Sequence, residues 1–297
     1  MQNTRKILVC IPAYNVAREI GKLVSDCCKF SYDVLVCDDG SADGTGRVAK
    51  ENGAIVITHP KNLGKGSAMK SLFNSARDLD ADVIVTMDGD GQFLPQEIDK
   101  IVKPIIEGKT DIVIGYRFDE TNEIPKYRKF GNKVMDKLTT MASESSFTDT
   151  QSGFRAYSIK AIEQINFQAE GFAADSEILI DASRKGLRIA YEPITVLYDT
   201  GGQTSTRNPI SHSKDVIGSL LELIALRRPL LYLGLTGLIM AVIGSGISMK
   251  VISLFNHTRY FSIPLTLLAV GAVLIGIMLI LMSVVLFAIG RAMRRSS

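Results

Sequence analysis

The sequence predicts an α/β fold, a mostly parallel sheet with helices on both faces, followed by an interfacial helix and a two-helix transmembrane hairpin. Three observations predict it. Short Val/Ile-rich runs alternate with helix-patterned segments over the first part of the chain. An amphipathic stretch then ends in Arg227-Arg228-Pro229. Beyond it lie two long runs without charge, each long enough to cross a bilayer.

The first run, Ile7 to Ile11, is short and followed at once by Pro12, so it reads as a strand and not as a signal peptide. Val34–Cys37, Ala54–Thr58, Val83–Met87 and Ile112–Ile114 have the same Val/Ile character and read as further buried strands. Between them the apolar spacing predicts helices over Ala17–Phe30, Thr45–Asn52, Gly66–Leu79 and Pro95–Glu107. Asp43 and Pro95 are start signals; Gly53 and Gly108 are stops. In such a sheet ligands bind beyond the carboxyl ends of the strands, so the residues just after each strand carry the most information.

After Asp199 the character changes. Gly201–Ser213 is a polar loop, and its Gly and Ser content suits a lid. In Asp215–Leu226 the residues Val216, Ile217, Leu220, Leu221, Leu223 and Ile224 form one apolar face, read as a helix lying on the membrane, with packing against the soluble domain as the alternative. The uncharged spans are Leu230–Met249 and Ile263–Ile289, joined by a loop expected to hold about a dozen residues, which makes a hairpin. Arg227 and Arg228 precede the pair and Arg291, Arg294 and Arg295 follow it, while the loop holds only Lys250 and Arg259. Both termini and the soluble domain are therefore expected in the cytosol. The domains expected are 1–205 (catalytic), 206–228 (acceptor loop and interfacial helix), 229–290 (two spans) and 291–297 (basic tail).

Composition excludes several classes. At 297 residues the chain holds one large domain or two ordinary ones, and a formal charge of +3 is too small to argue for nucleic acid. The mean hydropathy of +0.17 is high for a soluble protein and comes from the residues after Leu230. Cys10, Cys27, Cys28 and Cys37 form no CxxC pair and only 3 His are present, so the cysteines read as buried free thiols in a reducing compartment and not as a zinc site. Asn62-Leu63-Gly64-Lys65-Gly66-Ser67 is not a P-loop, because His59 stands where the first Gly belongs and Gly66 follows the Lys. No G-x-G-x-x-G follows the first strand, which argues against a dinucleotide-dependent dehydrogenase.

The chemistry concentrates in Asp88-Gly89-Asp90-Gly91-Gln92, directly after the fourth predicted strand. Two carboxylates at i and i+2 with an amide oxygen can converge on one hard cation, Mg²⁺ or Mn²⁺, which typically bridges to a substrate diphosphate. An acidic solvated turn is the competing account. A second pair, Asp38-Asp39, closes the second strand, where an Asp can accept hydrogen bonds from a base or ribose and Gly40 permits a tight turn. The first strand ends in Ile11-Pro12-Ala13-Tyr14-Asn15, which offers an aromatic face for a nucleobase. Singly, these last two are ordinary turn chemistry.

Together the segments closely resemble the family-2 glycosyltransferases. The pattern is carried by Ile11–Asn15, Asp38-Asp39-Gly40-Ser41-Ala42-Asp43-Gly44-Thr45, Asn62-Leu63-Gly64-Lys65-Gly66, Asp88-Gly89-Asp90-Gly91-Gln92 and Ser152-Gly153-Phe154-Arg155, in order over about residues 5–200. The Asp-Gly-Asp-Gly-Gln form, the later Gly-Phe-Arg and two C-terminal spans look like the polyprenyl-phosphate sugar transferases, the dolichol-phosphate mannose synthase group. The resemblance implies a GT-A (Rossmann-like) fold, a nucleotide-sugar donor, a polyprenyl or dolichyl phosphate acceptor and a divalent metal. It implies that Pro12, Tyr14, Asp38 and Lys65 contact the donor, and that Asp88, Asp90 and Gln92 hold the metal and through it the diphosphate. Arg117, Arg128 and Arg207, with Asn132, would bind the acceptor phosphate, since Arg suits forked contacts with phosphate oxygens. Asp90 with these arginines forms the expected catalytic set. Asp149, Asp175 and Glu177 could orient the sugar, without an assigned role. One departure is that Val16 stands where the family usually has Glu after the Asn of the first motif. UDP-glucose, UDP-N-acetylglucosamine and GDP-mannose all suit the scaffold, with a lean toward a UDP-hexose; homo-oligomerisation is left open. A processive polysaccharide synthase is disfavoured because its Gln-x-x-Arg-Trp segment needs a Trp and the chain has 0. A tethered non-catalytic scaffold is disfavoured by the intact Asp88, Asp90 and Gln92 set.

Overall fold

The computed structural model describes residues 6–117, 132–133, 135–137, 139–140, 146–167, 174–197 and 230–293. The predicted acceptor loop and interfacial helix with Arg207, and separately Arg128, lie outside the described residues. The chain divides into two compact units, Met1–Ser219 and Leu220–Ser297.

In the first unit seven strands form one sheet in the order β3-β2-β1-β4-β6-β5-β7. They are β1 (Ile7–Ala13), β2 (Asp33–Asp38), β3 (Ile55–Thr58), β4 (Val83–Thr86), β5 (Ile112–Tyr116), β6 (Arg155–Ser158) and β7 (Ile189–Pro193). Helices among the described residues include α1 (Ala17–Lys29), α2 (Thr45–Glu51), α3 (Lys65–Asp78), α4 (Ile98–Ile106), α5 (Ile159–Gln164) and α6 (Ala174–Arg184). The sheet is mostly parallel, as expected, except that β6 runs antiparallel to both β4 and β5.

Strand alternation divides the core in two. Val9 and Ile11 of β1, Val34 and Val36 of β2, and Val83 and Val85 of β4 face α1 and α4, which contribute Ile20, Leu23, Val24, Ile98, Ile101 and Val102 at helical spacing. Leu8, Cys10, Leu35, Cys37 and Ile84 face the other way, against Met69, Leu72, Phe73 and Ala76 of α3 and Ile178 of α6. Helices therefore cover both faces. Cys10, Cys27 and Cys37 are buried free thiols, and Cys28 is exposed. The expected stops hold for a backbone reason: Gly53 and Gly108 sit at φ 103° and 70°, which side-chain-bearing residues rarely adopt.

β6 and β7 were not predicted. Arg155-Ala156-Tyr157-Ser158 has no Val/Ile run, yet Arg155 and Tyr157 are among the largest fully buried side chains. Its register sets Arg155 opposite Thr86, which brings the segment before β6 across the end of β4.

The second unit holds two helical stretches, Leu230–Thr258 and Ile263–Ile289, long and apolar enough to cross a membrane. The first is a π-helical turn, Leu230–Gly234, continued by α7 (Leu235–Thr258); the second belongs to α8 (Ile263–Met293). The connection is shorter than expected, because α7 runs on past Lys250 and ends only where Arg259 turns left-handed at φ 56°. Backbone N–H groups near a membrane need internal partners, which favours prolonging the helix over opening a loop. The two helices meet on small residues: a Cβ on Gly237 would lie 2.6 Å from the Gly276 carbonyl oxygen, and one on Gly276 equally close to that of Gly237.

Candidate active site

The ends of β1 and β2 are laced together before any ligand is considered. Asn15 N–H donates to Ser41 Oγ (3.0 Å), and Asn15 Oδ1 accepts from Ala42 N–H (3.0 Å). Val16 N–H donates to Thr45 Oγ1, and Ala17 N–H to Asp43 Oδ2, while Asp43 Oδ1 accepts from Thr45 N–H. Asp43 thus serves the starts of both α1 and α2. Asn15 is held at φ 53°, and Tyr14 beside it is left 37% exposed, an open ring at the edge of the site. Pro12 is half-buried in β1. Val16, at the departure from the family pattern, packs on the first core.

Asp38 is placed at the end of β2, where its carboxylate is already engaged. Oδ1 accepts from Ser41 N–H (3.0 Å) and Oδ2 from Gly46 N–H (3.1 Å) in the first turn of α2. A Cβ on Gly46 would lie 2.5 Å from Oδ2, so the contact needs Gly there. Asp39, which in sequence is paired with Asp38 without a role of its own, does as much. Its Oδ1 accepts from Leu63 N–H (2.9 Å) and meets His59 Nδ1 (2.7 Å), and its Oδ2 accepts from Gly64 N–H (2.8 Å). That fixes the loop that starts α3 and positions Lys65. The signal available was Asn62-Leu63-Gly64: a Gly at φ 92° before a helix presents consecutive amides that want an acid.

Asp88 and Asp90 follow β4 and are treated differently. Asp88 Oδ1 lies 2.9 Å from Lys65 Nζ, which also lies 2.8 Å from Asp175 Oδ2. Burial pulls the Lys65 pKa down, and attraction by Asp175 and Asp88 more than reverses it, leaving a firmly charged ammonium. Asp175 is buried, which raises its pKa, but Lys65 and Arg155 outweigh that and hold it below the usual carboxylate range. Asp90 Oδ1 accepts from Gln92 N–H at 3.2 Å. Burial first, and then the neighbouring Asp88, push its pKa up to about 6. Gly153 lies directly over Asp88: a Cβ there would come 2.1 Å from Asp88 Oδ2. The Gly of Ser152-Gly153-Phe154-Arg155 is therefore demanded by close approach to the acidic pair.

Two carboxylates and the Gln92 amide suit a hard divalent cation, which would relieve the like-charge pressure on Asp90. Among the described residues no group of three His, Cys, Asp or Glu side chains supports a metal, so no third carboxylate joins the set.

Arg117 is held by Asp149 rather than projecting freely. Its Nε and Nη2 meet the carboxylate at 3.1 and 2.5 Å, and its N–H donates to Asp149 Oδ2 at 2.8 Å. Asp149 is fully buried, and its own N–H donates to Asp136 Oδ2. Arg155 is buried too, donating to the carbonyls of Asp175 (2.9 Å) and Thr150 (2.6 Å). Asn132 is half-buried and helical, and Asp136 is helical too. Lys65, Asp88 and Asp90 are thus brought together; Asp38 stands in a turn network of its own.

The profile of glycosyl transferase family 2 matches residues 8–165. A UDP-N-acetylglucosamine–dolichyl-phosphate N-acetylglucosaminyltransferase of Methanococcus voltae is 34% identical over 215 residues, covering 65% of this chain and 86% of that protein. The glycosyltransferase AglJ of Haloferax volcanii is 26% identical over 281 residues, covering 93% of this chain and 91% of that one. Among solved structures, glucosyl-3-phosphoglycerate synthase of Mycobacterium tuberculosis, in complex with Mn²⁺, UDP-glucose and phosphoglyceric acid, superposes with a TM-score of 0.58 at 21% identity, covering 75% of this chain and 80% of that one. At that identity the likeness is one of fold.

Proposed function

The chain belongs to glycosyl transferase family 2, and from that premise we propose that it transfers a hexose from a UDP-linked donor to a polyprenyl or dolichyl phosphate at the cytosolic membrane face. The observation that carries the reading is the Asp88–Asp90 pair at the carboxyl end of β4, where Lys65 meets Asp88 at 2.9 Å, Gly153 lies over Asp88, and burial first and then Asp88 raise the Asp90 pKa. An acidic pair under such pressure suits a bound cation and a diphosphate better than a structural turn. The named activity of the Methanococcus voltae relative supports a lipid-phosphate acceptor and a UDP donor. The two apolar helices support a substrate met at a bilayer.

Asp88, Asp90 and Gln92 would hold Mg²⁺ or Mn²⁺, which when bound supplies Lewis-acid stabilisation to the departing diphosphate. Tyr14 offers its exposed ring to the nucleobase, and Pro12 contributes to the same strand end. Asp38 shapes the turn under the nucleoside, and Lys65 adds positive charge beside the diphosphate. Arg117, oriented by Asp149, stands with Asn132, Arg128 and Arg207 as the acceptor-phosphate set. A phosphate monoester has its second pKa at about 6, so the acceptor is already mostly dianionic near neutrality and attacks without a general base. One phosphate oxygen forms a bond to the anomeric carbon as the bond to the diphosphate oxygen breaks, and UDP carries away the electron pair. In-line attack converts an α-linked donor into a β-linked lipid product. The protein's part is alignment and charge neutralisation.

The test is transfer of label from UDP-glucose, UDP-N-acetylglucosamine and GDP-mannose to a polyprenyl phosphate, with Mn²⁺ or with EDTA. A lipid-extractable product from one UDP-sugar, lost with EDTA, is the expected result. A product from GDP-mannose alone corrects the donor; no product from any of the three, with folded protein, sinks the reading.

A further inference from the structure

Among the described residues, a cation beside the acidic pair belongs to the protein itself. Lys65 Nζ is shared between Asp88 Oδ1 at 2.9 Å and Asp175 Oδ2 at 2.8 Å, and the Asp175 side chain is only 5% exposed. That burial puts Asp175 out of reach of a substrate but in contact with Lys65. Its backbone is fixed as well, because its carbonyl accepts from Arg155 Nη1, part of the same segment that lays Gly153 over Asp88. The arrangement has one carboxylate as anchor, Asp175, and one as a partner that can be given up, Asp88, which is 32% exposed.

We propose that Asp175 is a positioning residue that anchors Lys65 beside Asp88 and shares its charge, so that in the donor-free enzyme Lys65 occupies a place a divalent cation must claim, Asp88 can give it up, and cation binding is tied to arrival of the donor diphosphate. The inference rests on the assignment of Asp88 and Asp90 as metal ligands made above. Without donor, an incoming cation must displace an ammonium from Asp88 and then sit beside it, and like charges a few ångströms apart repel. With donor, the diphosphate brings negative oxygens that accept a hydrogen bond from Lys65. An ammonium has three donors, so swinging one from Asp88 to a phosphate oxygen keeps the Asp175 contact. Asp88 is then released to the cation. Linkage makes the effect mutual: cation and donor each tighten the other by the same factor.

The test is Mn²⁺ affinity of the full chain in detergent, read from the EPR signal of free Mn²⁺, with and without UDP. The double exchange Lys65→Met with Asp175→Asn removes one positive and one negative charge. Net charge is unchanged and neither buried partner is left alone, so a gain reports release of Asp88 and not a general field. Without UDP this variant is expected to bind Mn²⁺ about tenfold tighter than the wild type, and UDP should then tighten it by a smaller factor than in the wild type. Asp175→Asn alone leaves Lys65 to Asp88 and is expected to weaken Mn²⁺ binding about threefold or more. Affinity at or below wild type in the double variant, or tighter binding in Asp175→Asn, overturns the proposal if Asp90→Ala abolishes binding, and leaves the metal site standing. Unchanged Mn²⁺ affinity in Asp90→Ala removes the metal site itself, and the proposal with it.

Discussion

Two acidic pairs close two parallel strands of one sheet, and their surroundings differ. Asp38 and Asp39, after β2, are 5% and 3% exposed, and their four oxygens accept from the backbone N–H groups of Ser41, Gly46, Leu63 and Gly64, with His59 besides. Asp88, after β4, meets a lysine, while Asp90 has the Gln92 N–H and a pKa raised first by burial and then by Asp88. A carboxylate surrounded by amides is part of the fold, because its charge is already compensated. A carboxylate buried near another is a candidate site, because its charge calls for something the chain does not fully supply. In sequence the two look alike.

The sharpest way to break the contrast is turnover. Asp90→Ala is expected to lower transfer by about a thousandfold or more, as for loss of a group that stabilises a leaving charge. Near-normal activity in the labelled-sugar assay would remove Asp90 from the chemistry and make the two pairs alike. Stability is the next measure. Asp39→Ala leaves the N–H groups of Leu63 and Gly64 and the ring of His59 without their acceptor, a cost of about 2–4 kcal/mol. Denaturant or thermal unfolding that matched the wild type would show the β2 pair to be dispensable to the fold.

The smallest effect carries the most telling sign. Asp90 has a folded-state pKa raised to about 6, so charging it near neutrality costs native stability, and that cost disappears as pH falls through 6 toward the unfolded value. Asp90→Asn should therefore stabilise the metal-free protein at pH 7 by about 1–2 kcal/mol, with the difference from wild type closing below about pH 4. A variant less stable than wild type at pH 7 would mean that Asp90 is a structural acid after all.

Much of this was legible in advance because it is local. β1 to β5 and α1 to α4 follow from runs and spacings within about a dozen residues, where side-chain direction repeats with a period of two or 3.6. The placement of Asp88, Asp90 and Gln92 after a buried strand needed nothing more. β6 escaped because Arg155 and Tyr157 do not advertise burial; they are inside because β6 lies between β4 and β5. The length of α7 escaped because charge at Lys250 marks the end of an apolar run, whereas helical hydrogen bonding continues to Thr258.

The sequence by itself determined that β1 to β5 and α1 to α4 form, where those strands end, and that two acidic pairs and two apolar helices are present. Only the tertiary structure decided which pair is satisfied, that Lys65 reaches Asp88 and Asp175, that Gly153 covers Asp88, and that Asp149 claims Arg117. The reason is distance along the chain. Lys65 and Asp175 are 110 residues apart, and no local periodicity encodes such a pairing. The order of strands in the sheet brings those groups together, and charge compensation selects which contacts persist.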